Sequence, residues 1–284
     1  MQAAVVSAER VFGLLDTEPG IRPAVGEARR APWAPGAGTP AVEFRSVWFA
    51  YEGLDWVLRD CSFSVSRGEQ VALVGPTGEG KTTVARLMTR AYETGRGQVL
   101  VDGRDVREWD LRELRRHVGL IPQEVFLWSG TVEANLRLAR DGVVSAAEVE
   151  RAVAAANATR LITSLPGGLG EELRERGANL SHGERQLLAI ARALIYNPSV
   201  LALDEATSSV DPESEVLIRE GLRRLLEGRT SVIIAHRLST IQRADRILVL
   251  HKGQVRESGR HADLLAEGGI YARLHELQFG LARS

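Results

Sequence analysis

Gly75-Pro76-Thr77-Gly78-Glu79-Gly80-Lys81-Thr82-Thr83 decides the fold. Its spacing is G-x-x-x-x-G-K-T, the pattern of a phosphate-binding loop. Gln70 to Val74 before it reads as a buried strand, and Thr82 to Met88 after it as a helix. That strand–loop–helix order is the context the pattern needs. Gly75, Gly78 and Gly80 allow tight turns and close backbone approach. Backbone N–H groups in such a loop converge on anionic oxygens, helped by the positive end of the helix dipole. Lys81 adds a full positive charge, the Thr82 hydroxyl suits Mg²⁺, and Thr77 and Thr83 complete the set of binding positions. Glu79 is the discordant member, a negative charge inside an anion cradle.

Bulk properties narrow the classes around this loop. The chain has 284 residues, 44% hydrophobic, enough for a sizeable core. Its 36 basic and 37 acidic residues nearly balance, which argues against a nucleic-acid-coating protein. Cys61 is the only cysteine, so no intrachain disulfide can form. It falls in a strand-like run and reads as a buried small hydrophobe. No apolar run approaches the ~18 residues of a membrane span.

Outward from the loop, apolar runs alternate with helical patterns. Val5, Ala8, Phe12 and Leu15 share one face of a short amphipathic helix. A Pro- and Gly-rich linker follows, so residues 1–41 form one segment and 42–284 the globular part. Val42 to Tyr51 and Trp56 to Val65 read as strands. The helix after the loop is expected to reach Thr94-Gly95. Asp102-Gly103 and Lys252-Gly253 mark hairpin turns. Residues 125–185 read as mostly helical, with helices over Thr131 to Leu138 and Ala146 to Ala158, and form an inserted helical subdomain. A further helix stops at Asn197-Pro198, and Pro212 to Leu226 is a long one with proline in its first turn. The expected fold is therefore α/β. It has a mainly parallel sheet in a P-loop NTPase core, an antiparallel β subdomain and the helical insertion.

Two other stretches carry chemistry. Val200 to Leu203 is an apolar strand ending in Asp204-Glu205. A buried parallel strand releases polar groups at its carboxyl end, where Asp204 could hold Mg²⁺ and Glu205 could polarise a water. Leu180-Ser181-His182-Gly183-Glu184 opens a helix. Its Ser and Gly form a second anion site or an ordinary N-cap.

With these motifs in order, residues from about 42 to 278 resemble the nucleotide-binding domain of ATP-binding cassette (ABC) transporters, nearest the exporter type. Residues 75–82 match the Walker A loop, and 200–205 match Walker B with its catalytic glutamate. Leu180 to Glu184 resemble the LSGGQ signature. Gln123 matches the glutamine that reaches Mg²⁺ and the attacking water, and His236 the switch histidine. Ser209-Val210-Asp211 match the D-loop. Tyr51 matches the aromatic that stacks on adenine. Glu175-Arg176-Gly177 resembles an exporter loop that touches the membrane domain. By itself Asp211 could equally cap the helix starting at Pro212.

The resemblance implies ATP and Mg²⁺ as cofactors. It implies Glu205, His236 and Gln123 as catalytic residues, and Thr82, Gln123 and Asp204 around the metal. Two such domains sandwich two ATP molecules, each between one chain's Walker A loop and the other's signature, Ser181 and Gly183 included. The other implied partner is a transmembrane domain, which puts the chain on the cytoplasmic face of the cell membrane. Ala8 to Asp16 look like the end of an exporter's last membrane helix. The chain is thus expected to be a piece of a longer exporter, or a separate subunit docking on a membrane protein.

Departures from the family pattern are His182, Glu184 and Glu79. Ser181 and Gly183, the phosphate-touching positions, are kept. The Glu79 charge leads to the expectation that Glu79→Ser tightens ATP binding. The leading functional expectation is an ATP-hydrolysing exporter motor. The alternative is a catalytically impaired regulatory module of a heterodimeric exporter. A soluble cassette ATPase of translation or DNA repair is disfavoured by Glu175-Arg176-Gly177, the N-terminal helix and the neutral charge.

Overall fold

A computed structural model describes residues 2–17, 21, 35–138, 144–204, 211–235 and 237–279, with backbone alone for 2–8 and 278–279. Helix α1 (Gln2–Leu15) leads, with Val11, Phe12, Leu14 and Leu15 exposed. No helix among the described residues is long and apolar enough to cross a membrane.

Strands β1 (Val42–Ala50) and β2 (Trp56–Val65) pair antiparallel. Strand β3 (Gln70–Val74) runs into the glycine-rich loop and helix α2 (Lys81–Met88). This helix ends well before Thr94-Gly95, contrary to expectation. Arg90 takes a left-handed conformation, φ 47°. Arg90 N donates to Leu87 O (3.1 Å) and Ala91 N to Arg86 O (2.8 Å), the paired closure of a Schellman stop. Glycine normally fills that position, so the sequence carries no stop signal there.

Strand β4 (Arg96–Val101) turns through Asp102-Gly103, φ 53° and 79°, into β5 (Arg104–Asp105). Asp110 caps helix α3 (Leu111–His117), which leads directly into β6 (Val118–Ile121). The next stretch is less helical than its sequence suggests. It holds strand β7 (Gly130–Thr131), helices α4 (Val132–Arg137), α5 (Ala146–Ala155) and α6 (Thr159–Ser164), strand β8 (Glu172–Leu173), and two single 3₁₀ turns, Gly168–Gly170 and Glu175–Gly177. Thr131 caps α4 instead of joining it, and Asn157, φ 59°, ends the helical run that was expected to reach Ala158. Strands β7 and β8 pair as a small antiparallel ribbon.

Helix α7 (His182–Tyr196) stops at Asn197, φ 52°, ahead of Pro198. Then follow β9 (Val200–Asp204), α8 (Pro212–Leu226), β10 (Thr230–Ile234) and α9 (Leu238–Arg243). Strands β11 (Arg246–His251) and β12 (Gln254–Gly259) form the hairpin across Lys252-Gly253. Helices α10 (His261–Ala266) and α11 (Ile270–Phe279) close the described chain.

The main sheet has the order β12-β11-β3-β10-β9-β6, parallel except at β12. A four-stranded antiparallel sheet, β2-β1-β4-β5, is a second sheet packed against it. Successive residues of the parallel strands feed two cores. Leu73, Ala202, Ile234 and Leu250 pack with Phe44, Leu58, Leu87 and Leu114. Val74, Leu203, Ile233 and Val249 pack with Leu136, Val149, Leu188 and Ile218. Burial on both faces is why these strands read as unbroken apolar runs. Cys61 is fully buried in the first core, and burial, with the Asp60 charge, pushes its thiol up to about 12.

Candidate functional site

Register brings the site to one edge of the main sheet. Leu73 pairs with Ile234, Ile234 with Asp204, and Leu203 with Ile121. The carboxyl ends of β3, β10, β9 and β6 therefore lie side by side. The glycine loop leaves from the first, Asp204 ends the third, and Gln123 lies two residues past the fourth, exposed. In open α/β sheets this edge is where ligands bind. Glu205 and His236 lie outside the described residues, as do Ser209 and Val210. Glu205 directly follows Asp204, the last residue of β9, and His236 follows Ala235, one residue past β10.

The loop curls around its lysine. Lys81, 6% exposed, donates from Nζ to Gly75 O and Pro76 O, both at 2.8 Å. Burial lowers its pKa, while the charges of Asp204 and Glu79 pull it back up. Gly75 is demanded by contact, because a Cβ there would run into Leu250 O of β11. Gly80 caps α2 in a left-handed conformation, φ 95°. Thr77 and Gly78 lie exposed at the lip of the loop. Thr82 Oγ1 donates to Asp204 Oδ2 at 2.8 Å, and Asp204 is 6% exposed. A hydroxyl and a carboxylate side by side form a hard-oxygen set that suits Mg²⁺ held together with phosphate oxygens, so the residues present fit this ion.

Tyr51 stands beside the same helix. Its hydroxyl lies 2.9 Å from Thr83 Oγ1, and Arg86 Nη1 donates to it at 3.3 Å. Its ring meets Phe49 and Tyr92 edge to face, with centroids 4.9 and 5.1 Å away. The ring is 43% exposed, which leaves it open for a base to stack on. Tyr92 and Arg86 had not stood out in the sequence, and no motif marks them.

Glu79 is turned away from the interior of the loop. Its Oε2 accepts from Gly253 N at 3.3 Å, and its Oε1 lies 3.3 Å from His251 Nδ1. Only the backbone at Glu79 is left to serve an anion.

At the start of α7 the structure shows the ordinary N-cap, one of the two readings its sequence allowed. Ser181 caps α7 through Glu184 N (3.2 Å), and Glu184 Oε2 accepts from Ser181 N (2.7 Å). This reciprocal capping box explains the Ser-x-x-Glu spacing. His182 Nε2 lies 3.0 Å from Gln186 Nε2, and Gly183 is buried. Among the described residues, no hydrogen bond or ion pair joins Ser181 or Gly183 to residues 75–83. Asp211 caps α8 by accepting from Ser214 N at 2.9 Å, and that bond lowers its carboxyl pKa.

Comparisons with known proteins agree with this geometry. A family model described as "ABC transporter" matches residues 58–208. The "Uncharacterized ABC transporter ATP-binding protein YfiC" of Bacillus subtilis is 45% identical over 279 residues, 98% of this chain and 45% of that protein. The "ATP-dependent lipid A-core flippase" of Chromobacterium violaceum is 47% identical over 280 residues, again 98% of this chain, and 47% of that one. The structure of a bacterial Atm1-family ABC exporter with ATP bound superposes with a TM-score of 0.85 at 39% identity. That match covers 98% of this chain and 48% of the exporter chain. The chain thus spans about half the length of the relatives it matches. With its P-loop fold, mixed main sheet and separate antiparallel sheet, the chain belongs to the ABC transporter family, as a nucleotide-binding domain of the exporter type.

Proposed function

We propose that this chain binds and hydrolyses ATP with Mg²⁺ as the motor of an exporter. The observation that carries the reading is the meeting of Thr82 and Asp204 at 2.8 Å beside the enclosed Lys81. A Mg²⁺ ion carried with the nucleotide and held by Thr82, Asp204 and Gln123 would neutralise charge on the phosphate oxygens. Lys81 offsets the charge that develops on the transferred group, the loop N–H groups orient the phosphates, and Tyr51 stacks on the adenine. Glu205 orients or deprotonates a water that attacks the γ-phosphorus in line, as the bond to the β-phosphate oxygen breaks. His236 and Gln123 position that phosphate and water. The solved relative that carries ATP supports the choice of nucleotide.

The partners follow from the same likeness. A second nucleotide-binding domain supplies Ser181 and Gly183 to the loop of the first. A transmembrane domain docks nearby and holds the chain at the cytoplasmic face of the membrane. Supporting that docking, an apolar cavity of about 430 Å³ opens between β6 and α7, lined by Leu120, Pro122, Val125 and Tyr196. Phe126 and Trp128 stand exposed at its side, edge to face at 4.8 Å. The 175–177 turn lies against the same loop, since a Cβ on Gly177 would meet the Leu127 side chain.

A second reading is a regulatory module with a weakened site. The Glu184 carboxylate at the α7 N-terminus favours it, because a negative charge there offsets the helix dipole that would draw a phosphate. Turnover measured against chain concentration separates the two. The motor gives turnover rising faster than linearly, and Glu205→Gln lowers it at least about 100-fold while ATP still binds. Undiminished turnover in Glu205→Gln removes that residue from its role. Tight ATP binding with no turnover at any concentration selects the regulatory module.

A further inference from the structure

Glu79 is the one acidic side chain in the loop, and two features of the distant β11–β12 hairpin hold it. Gly253 N donates to Oε2 at 3.3 Å, and His251 Nδ1 lies 3.3 Å from Oε1. That Nδ1 is buried and makes no hydrogen bond in this geometry, and Glu79 Oε1 lies 3.3 Å from it, close enough for electrostatic attraction. The Glu79 side chain is 16% exposed, tucked against the hairpin and withdrawn from solvent.

The hairpin is in turn fixed. Lys252 and Gly253 take left-handed conformations, φ 52° and 73°. Gly253 O accepts from Arg59 N of β2 at 3.0 Å, and a Cβ on Gly253 would strike Val57 O. One residue before His251, Leu250 O sits under Gly75. The hairpin thus touches the loop at both of its ends and is braced from behind by β2. Glu79 nonetheless remains within electrostatic reach of Lys81, where its charge offsets part of the lowering that burial imposes on the lysine pKa.

We propose that the β11–β12 hairpin is a holdback for the loop's own carboxylate. His251 and Gly253 keep Glu79 turned outward, and His251 is a positioning residue that sets the affinity of the loop for a nucleoside triphosphate. The inference rests on the reading of residues 75–83 as an ATP site. Released, the carboxylate would sit among like charges, and one such charge several ångströms from the phosphates weakens binding by about five-fold.

The test is a double-mutant cycle on the full chain, read as MgATP affinity by calorimetry. His251→Ala is expected to weaken binding by about five-fold. In a Glu79→Ala background the same substitution is expected to change affinity by less than about two-fold. His251→Asn, whose amide N–H stands where Nδ1 stood, restores wild-type affinity. Equal affinity of His251→Ala and wild type overturns the proposal. So does an equal loss in the Glu79→Ala background, which would make His251 merely structural. Failure of the wild-type chain to bind MgATP removes the nucleotide reading and this inference with it. Normal wild-type binding with a flat cycle removes the inference alone.

Discussion

Thr82 and Asp204 lie 122 residues apart in sequence and 2.8 Å apart in space. Asp204→Asn keeps the shape and the hydrogen bond but removes the charge. It is expected to reduce the advantage of MgATP over metal-free ATP at least about ten-fold, measured by calorimetry with and without Mg²⁺. Little change in that ratio would take Asp204 out of the metal's surroundings. Glu79 behaves differently from the anion-cradle expectation. With its carboxylate already held by Gly253 and His251, Glu79→Ser is expected to tighten ATP by less than about three-fold, since little repulsion is left to relieve. At the other site, Glu184→Gln keeps an acceptor for Ser181 N and deletes the charge at the α7 N-terminus. The expected outcome is a stability loss of less than about 1 kcal/mol, seen as a slightly lower melting temperature, with tighter ATP-driven association by sedimentation. Ser181→Ala, in contrast, loses the cap and costs about 1 kcal/mol in urea titration.

Among the elements, legibility followed from how local the cause was. Strands β3, β9 and β10 could be read because burial on both faces leaves unbroken apolar runs at residues 71–74, 200–203 and 232–234. Both hairpins could be read because Asp102-Gly103 and Lys252-Gly253 supply the left-handed pairs that such turns need. The end of α2 could not be read, because its stop is an arginine held from elsewhere. Arg90 pairs with Glu93 at 2.6 Å and donates to Arg107 O at 3.3 Å. Arg90→Ala leaves a strained turn without its anchor and is expected to cost about 2 kcal/mol by urea denaturation. The orientation of Glu79 was equally hidden, since its partner Gly253 is 174 residues away. At the C-terminal end, His261 Nδ1 lies 2.6 Å from Tyr271 Oη, joining α10 to α11. Burial, and then the charge of His275, lower the His261 pKa. A histidine with a lowered folded pKa resists protonation only when folded, so its contribution is intact above about pH 6.5 and fades below. Amide protection in α11, taken relative to the intrinsic exchange rate at each pH, should fall as pH drops from about 7 to 5, and His261→Gln should flatten that dependence.

At the scale of the molecule, the proposed function makes each ATP site shared between two chains. The loop at 75–83 sits at the carboxyl edge of the main sheet, and Ser181 caps a helix that packs on α4, α5, α8 and β6. If each ATP lies between one chain's loop and the other's α7 N-terminus, the two halves can be damaged on different chains. Lys81→Ala breaks the loop and Ser181→Arg blocks the signature, so each variant alone should be inactive. Mixed, they form dimers in which one site carries both lesions and the other carries neither. Half of randomly assorted dimers are of this kind, so the mixture should recover about a quarter of wild-type turnover. Recovery of that size requires two chains per site. A mixture as inactive as its components, with association intact by sedimentation, would instead mean that a single chain builds its whole site, or that both sites must be sound before either turns over. A dimer of one Lys81→Ala chain and one wild-type chain separates these last two: activity there shows that one intact site suffices.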